Sequence, residues 1–136
     1  MIGIDTNVLV RYITQDDENQ ATIATEFIEN YCSSGNKIFI NHIVICELVW
    51  VLKKCYKISK PKTITIIEYI LKISQFSIEN PQIIWQALSD YKKGPADFAD
   101  YVVSRTNKFH NCDETVTFDQ KAGKSKGFAL LSTNAN

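Results

Sequence analysis

Short runs of bulky apolar residues, each closed by turn chemistry, alternate along this chain with longer stretches whose apolar residues recur at helical spacing. Residues 1–4, 37–41, 76–79, 115–118 and 128–131 are of the first kind. Between them, Val8, Leu9, Tyr12 and Ile13 share one helical face, and Ala21, Ala24, Phe27, Ile28 and Tyr31 share another. Ile64, Ile67, Ile70 and Leu71 mark a further helix, as do Ile84, Ala87, Leu88 and Tyr91. Repeated strand-then-helix order leaves few choices, because parallel neighbours need a crossover and a helix is the usual one. The expectation is an α/β fold with a central, mostly parallel sheet of four to five strands flanked by helices.

With 136 residues the chain is long enough to bury a substantial core, and residues 1–136 are read as a single domain. Fifteen Lys and Arg balance fifteen Asp and Glu, so a polyanionic partner has to be held by local patches. Cys32, Cys46, Cys55 and Cys112 form neither a C-x-x-C pair nor a regular framework, which suits reduced thiols. Asp5 interrupts the first apolar run, and no run approaches the ~18 apolar residues of a membrane span. A soluble, cytoplasmic protein without membrane association is expected.

Helix boundaries carry their own signals. Ser33-Ser34-Gly35-Asn36 stops the second helix with a glycine expected at its C-cap, and Ser59-Lys60-Pro61 and Asn80-Pro81 each open a helix by a cap followed by proline. A helix from residue 42 to about 57 is the most unusual stretch, because between Ile43 and Leu52 every residue is apolar or cysteine except Glu47. An ionised carboxylate there is costly to desolvate unless something positive meets it, or else it marks the wet edge of a buried helix.

Other carboxylates fall at the ends of elements. Asp5 closes the first strand, at the edge where open parallel sheets hold their ligands. Asp119 closes the fourth. Asp97 and Asp100, three apart, project from one face of the first turn of a helix, where the helix dipole favours them. Asp is a preferred N-cap, which by itself accounts for Asp97; Asp100 lies deeper and is less well explained that way.

If these acids converge, each raises the others' pKa and resists ionisation until cations neutralise the group. Oxygen-only donors suit Mg²⁺ or Mn²⁺ better than zinc, and His42 and His110 lack ligand spacing and are taken as ordinary polar positions. Such a centre can lower the pKa of water for in-line attack on a phosphodiester. No Ser-His-Asp set, phosphate-cradling glycine loop or dinucleotide fingerprint competes. Asp5 as a phosphotransferase nucleophile would call for an acid two residues on, where Asn7 stands.

Asp5-Thr6-Asn7-Val8-Leu9, Cys46-Glu47-Leu48-Val49-Trp50-Val51-Leu52, Ala96-Asp97-Phe98-Ala99-Asp100 and Thr115-Val116-Thr117-Phe118-Asp119 resemble, in that order, the motifs of PIN-domain nucleases. They look most like the VapC-type toxins of bacterial toxin–antitoxin pairs. The resemblance implies a three-layer α/β/α domain and an acidic quartet of Asp5, Glu47, Asp100 and Asp119 around Mg²⁺, with Mn²⁺ an alternative and Asp97 supporting or sharing the metal. It also implies that Thr6, Asn7 and Thr117 orient those carboxylates. The activity implied is endoribonucleolytic cleavage of structured RNA, of the transfer or ribosomal class, by a homodimer restrained by a VapB-like antitoxin. Gln120-Lys121-Ala122-Gly123 departs from the Arg-Asp-aromatic sequence of many relatives.

An RNA path past these acids needs basic groups at their rim, for which Arg11, Lys53, Lys54, Lys92, Lys93, Lys121 and Lys124 are candidates. Trp50 and Tyr101 can stack on a base, although at helical spacing such residues are more often core or dimer contacts. The apolar surface of residues 42–57 and 59–73 exceeds what one sheet face covers, which independently suggests a dimer. The alternative is a non-catalytic PIN-like module that binds RNA or an antitoxin, which loss of an acid would mark. A DNA-directed or flap-type nuclease shares the acid pattern, but resembling members are much longer.

Overall fold

The computed structural model describes residues 1–132; the last four residues of the domain expected over 1–136 lie outside the described residues. The chain divides into two compact units, Met1–Glu79 and a second from Asn80 onward. The first holds β1 (Ile2–Gly3), α1 (Thr6–Thr14), α2 (Glu18–Cys32), β2 (Ile38–Ile40), α3 (His42–Lys54), α4 (Lys60–Lys72) and β3 (Phe76–Ile78). Its three strands form a parallel sheet in the order β1-β2-β3, with Ile2 opposite Ile38 and Ile40 opposite Ile78.

Local chemistry sets these boundaries. Asp5, Asp17, Asn41 and Ser59 each accept a backbone N–H of the helix that follows, so four of the helices start on a side-chain cap. Asn41, expected inside the second strand, is one of these caps and ends the strand at Ile40. The α3 helix stops at Lys54 and not near residue 57, because Lys57 takes φ 55° and turns the chain back. Gly35 does not occupy the C-cap of α2, which is Ser33; at φ 88° it makes the turn two residues on. Leu9, Ile28, Ile38, Ile40, Ile45, Leu48, Leu52, Ile67 and Ile70 are completely buried and form the core of this unit. Each such side chain contributes about 1.5–3 kcal/mol by leaving water.

The second unit holds α5 (Pro81–Lys93), α6 (Phe98–Phe109), β4 (Thr115–Thr117), a single 3-10 turn (Ala122–Lys124) and β5 (Phe128–Leu130). β4 and β5 pair in parallel, Thr115 opposite Phe128 and Thr117 opposite Leu130. Asn80 does not cap α5 with its side chain; it turns the chain with a left-handed backbone at φ 33°, and Pro81 opens the helix. Ile84, Ala87, Leu88 and Tyr91 of α5 are buried, and Tyr91 meets Phe98 of α6 edge to face at 5.8 Å. A bidentate pair, Arg105 to Asp90 at 2.6 and 2.8 Å, joins the same two helices.

The α/β class and the parallel pairing agree with expectation. The strands are shorter than expected and lie as a group of three and a group of two, one in each unit. Runs of two or three residues make few ladder hydrogen bonds, so flanking helices supply most of the buried surface.

Candidate active site

In the first unit, Asp5 leaves β1 in an extended conformation and becomes the N-cap of α1. Its Oδ1 accepts the Thr6 N–H at 2.7 Å, which fixes the carboxylate against the helix it starts. Thr6 is almost buried, at 8% exposure, and its hydroxyl donates to Glu47 Oε1 at 2.7 Å. One residue therefore touches two acids that are far apart in sequence. The hydroxyl bond explains why Thr6 follows Asp5 better than capping alone does. Asn7 is exposed and lines the same shallow groove as Asp5, a volume of about 510 Å³.

Glu47 lies on the wet edge of α3. The buried stripe of that helix is Val44, Ile45, Leu48, Val49 and Leu52, and Glu47 projects from the other side with Ile43 and Trp50, 71% and 60% exposed. The apolar neighbours read from the sequence do not desolvate it, because two of them face outward too. Cys46, beside it, is different: burial and then the charge of Glu47 push its thiol up to about 11, so it stays protonated and is no nucleophile.

In the second unit, Asp97 is the N-cap of α6 and Asp100 is three residues in. The Asp97 N–H donates to Asp100 Oδ2 at 3.1 Å, so Asp100 also serves the helix end, a role the sequence had assigned to Asp97 alone. Asp119 follows β4. Its backbone N–H donates to Thr117 Oγ1 at 2.9 Å, which fixes the chain at this residue, and its Oδ1 accepts the Ala122 N–H at 2.8 Å, which orients the carboxylate. The Asp100 carboxyl is raised from its ordinary value, first by burial and then by the charges of Asp97 and Asp119; the Asp97 N–H opposes this. Asp100 therefore feels both of these acidic neighbours. Among the described residues, no group of three or more His, Cys, Asp or Glu side chains is gathered closely enough to enclose a metal ion.

The remaining expected residues separate by environment. Tyr101 is buried, its hydroxyl accepting the Ala96 N–H at 3.2 Å and sharing a 2.8 Å hydrogen bond with Ser125. That places it in the core, not at a surface where a base can stack. Gly94 makes room for it: a Cβ there would stand 1.9 Å from the Tyr101 hydroxyl. This contact, which braces the helix carrying Asp100 against the loop after Asp119, left no mark in the sequence. His42 donates its backbone N–H to Glu79 Oε1 at 2.9 Å and places its ring against the Glu79 carbonyl, an ordinary polar position as expected. All four cysteines are free thiols. Lys53, Lys54, Lys92, Lys93, Lys121 and Lys124 are exposed, whereas Arg11 is held inside a polar cluster with Asp16, Gln20 and Tyr56. No helix among the described residues is long and apolar enough to cross a membrane.

Comparison with known proteins supplies a family. The model of the PIN domain matches residues 2–126, a span that runs through both units. A VapC ribonuclease of Aquifex aeolicus (strain VF5) is 31% identical over 129 residues, covering 95% of this chain and 94% of that protein.

Proposed function

This chain belongs to the PIN-domain family, and from that premise we propose that it is a divalent-metal-dependent endoribonuclease, the toxin of a VapBC-type pair. The two units are read as one PIN domain, in keeping with a family match that spans both. The proposed centre combines Asp5 and Glu47 with Asp100 and Asp119, with Asp97 beside them. Thr6, Asn7 and Thr117 hold the acids in orientation.

The observation that carries this reading is the way each carboxylate is already braced. Thr6 binds Asp5 through its N–H and Glu47 through its hydroxyl, and the Asp119 carboxylate accepts the Ala122 N–H while Thr117 holds the Asp119 backbone N–H. The donor set fits a hard cation: every candidate ligand is a carboxylate oxygen, and a cation would offset both the burial that chiefly raises Asp100 and the smaller repulsion from Asp97 and Asp119. Mg²⁺ is proposed, with Mn²⁺ as a substitute. When bound, such an ion supplies the charge that lowers the pKa of water and offsets charge on the attacked phosphate.

The protein's own groups do the positioning. Thr6 spends its hydroxyl on the Glu47 carboxylate, and Thr117 holds the backbone N–H of Asp119, which leaves the other carboxylate lone pairs for the ion. Exposed lysines, Lys53, Lys54, Lys121 and Lys124 among them, are proposed to hold the RNA backbone around the acids. Structured RNA of the transfer or ribosomal class is the proposed substrate, and a VapB-like antitoxin the proposed restraint. A homodimer is proposed from the outward apolar residues Ile43, Trp50 and Tyr69 of α3 and α4; sedimentation at micromolar concentration showing only monomer overturns it.

The test of the activity is RNA cleavage by purified protein with Mg²⁺, with Mn²⁺ and with chelator. Cleavage that needs the ion and disappears in folded Asp5→Asn and Asp100→Asn variants is expected. Cleavage at the parent rate by folded Asp5→Asn protein overturns the assignment.

A further inference from the structure

Arg11, Asp16 and Tyr56 form a closed polar triangle in the first unit. Arg11 Nη1 donates to Asp16 Oδ1 at 3.0 Å and to the Tyr56 hydroxyl at 3.1 Å, and that hydroxyl donates to Asp16 Oδ2 at 2.7 Å. Arg11 Nε reaches Gln20 Oε1 at 2.7 Å, which draws in α2. Tyr56 is itself anchored to α3, through its N–H to the Val51 carbonyl at 3.3 Å, and the following reversal returns the Ile58 N–H to Leu52 at 3.0 Å. The triangle thus ties α1 to the far end of the helix that carries Glu47.

At its near end α1 is already tied to α3 by the Thr6–Glu47 hydrogen bond. Thr6 and Arg11 are five residues apart, roughly 7.5 Å along a helix. One attachment lets two packed helices pivot and slide; two, separated by more than a turn, fix both movements. The cluster also spends most of its charge internally, since Asp16, held down to about 2, stays ionised beside Arg11. A neutralised pair with its donors engaged is poorly placed to attract a phosphate.

We infer that Tyr56, with Arg11 and Asp16, is a positioning clamp that fixes α1 against α3 and so holds Asp5 and Glu47 in the geometry of the proposed centre. Its catalytic consequence rests on the nuclease reading; its mechanical part does not. Tyr56→Phe removes only the hydroxyl that closes the triangle. Three measurements on that variant decide the matter: amide hydrogen exchange at Thr6 and Leu9, kcat and KM for RNA cleavage, and the same constants combined with Thr6→Val.

The clamp predicts faster exchange at both amides, kcat lower by about three- to tenfold with KM within twofold, and a double variant less impaired than the product of the singles. Unchanged exchange overturns the clamp. Multiplicative losses overturn the claim that both attachments hold one geometry, and a raised KM at unchanged kcat overturns positioning in favour of direct contact with RNA. Parent protein that cleaves no RNA overturns the nuclease reading and the catalytic consequence with it, while the exchange result still decides whether α1 is clamped.

Discussion

Replacing Thr6 by valine separates what holds the fold together from what aligns the acids. Valine matches threonine in shape and branching, so at 8% exposure no cavity opens, and the Thr6 N–H still caps onto Asp5. What disappears is one 2.7 Å hydroxyl bond to Glu47. A buried bond to a charged acceptor is worth about 1.5–3 kcal/mol, but Glu47 is exposed and water replaces the lost donor, so about 0.5–1.5 kcal/mol is expected. In a chain of this length that is a fall of roughly 2–6 °C in Tm. If Glu47 is a ligand of the proposed ion, the effect on turnover should be much larger, because an unheld carboxylate samples rotamers that do not point at it; losses of about 10–100-fold follow when such a support is removed. Thermal melting followed by circular dichroism and initial rates of RNA cleavage at saturating Mg²⁺ measure the two effects on one preparation. Thr6→Ser should recover most of the rate. Parent-like cleavage by folded Thr6→Val protein would show that the hydroxyl has no part in aligning the site.

Two further substitutions probe the supports. Gly94→Ala places a methyl group 1.9 Å from the Tyr101 hydroxyl and 2.9 Å from its ring, so the ring must shift and the bonds to Ala96 and Ser125 stretch. A loss of about 2–4 kcal/mol in urea unfolding is expected, smaller in a Tyr101→Phe background, and an unchanged midpoint contradicts it. Asp16 is held down to about 2 by the Tyr56 and Thr14 hydroxyls and then by Arg11, below its unfolded value of 3.8. Its contribution is therefore complete above that value and lost as pH falls towards 2. Asp16→Asn should melt earlier than the parent at pH 7, with the gap narrowing as pH falls from about 4 through 2; a gap as wide at pH 2 as at pH 7 contradicts the assignment.

Much of the framework was legible from residue patterns because it depends on local rules. α1 runs from Thr6 to Thr14 as its apolar spacing requires, and Ser59 caps α4 because its side chain reaches a free N–H. Glu47 was harder to judge. Its apolar neighbours left burial and the wet edge of the helix both open, because which face of α3 turns inward is fixed by tertiary packing on Leu48 and Leu52, and sequence spacing alone did not reveal that Ile43 and Trp50 remain outside. Asp100 posed the opposite problem: its depth in the first turn argued against capping, but an acid at the third helical position reaches back to the cap N–H. The Arg11–Asp16–Tyr56 triangle joins residues up to 45 apart and has no local signature at all.

The proposed function stands or falls on whether Asp5 and Asp119 serve the same divalent ion. Mn²⁺ binding followed by electron paramagnetic resonance, on the folded parent, Asp5→Asn and Asp119→Asn, tests this directly. Weakening of the same binding event by either substitution is the predicted result. Parent-like Mn²⁺ affinity in either variant would contradict it.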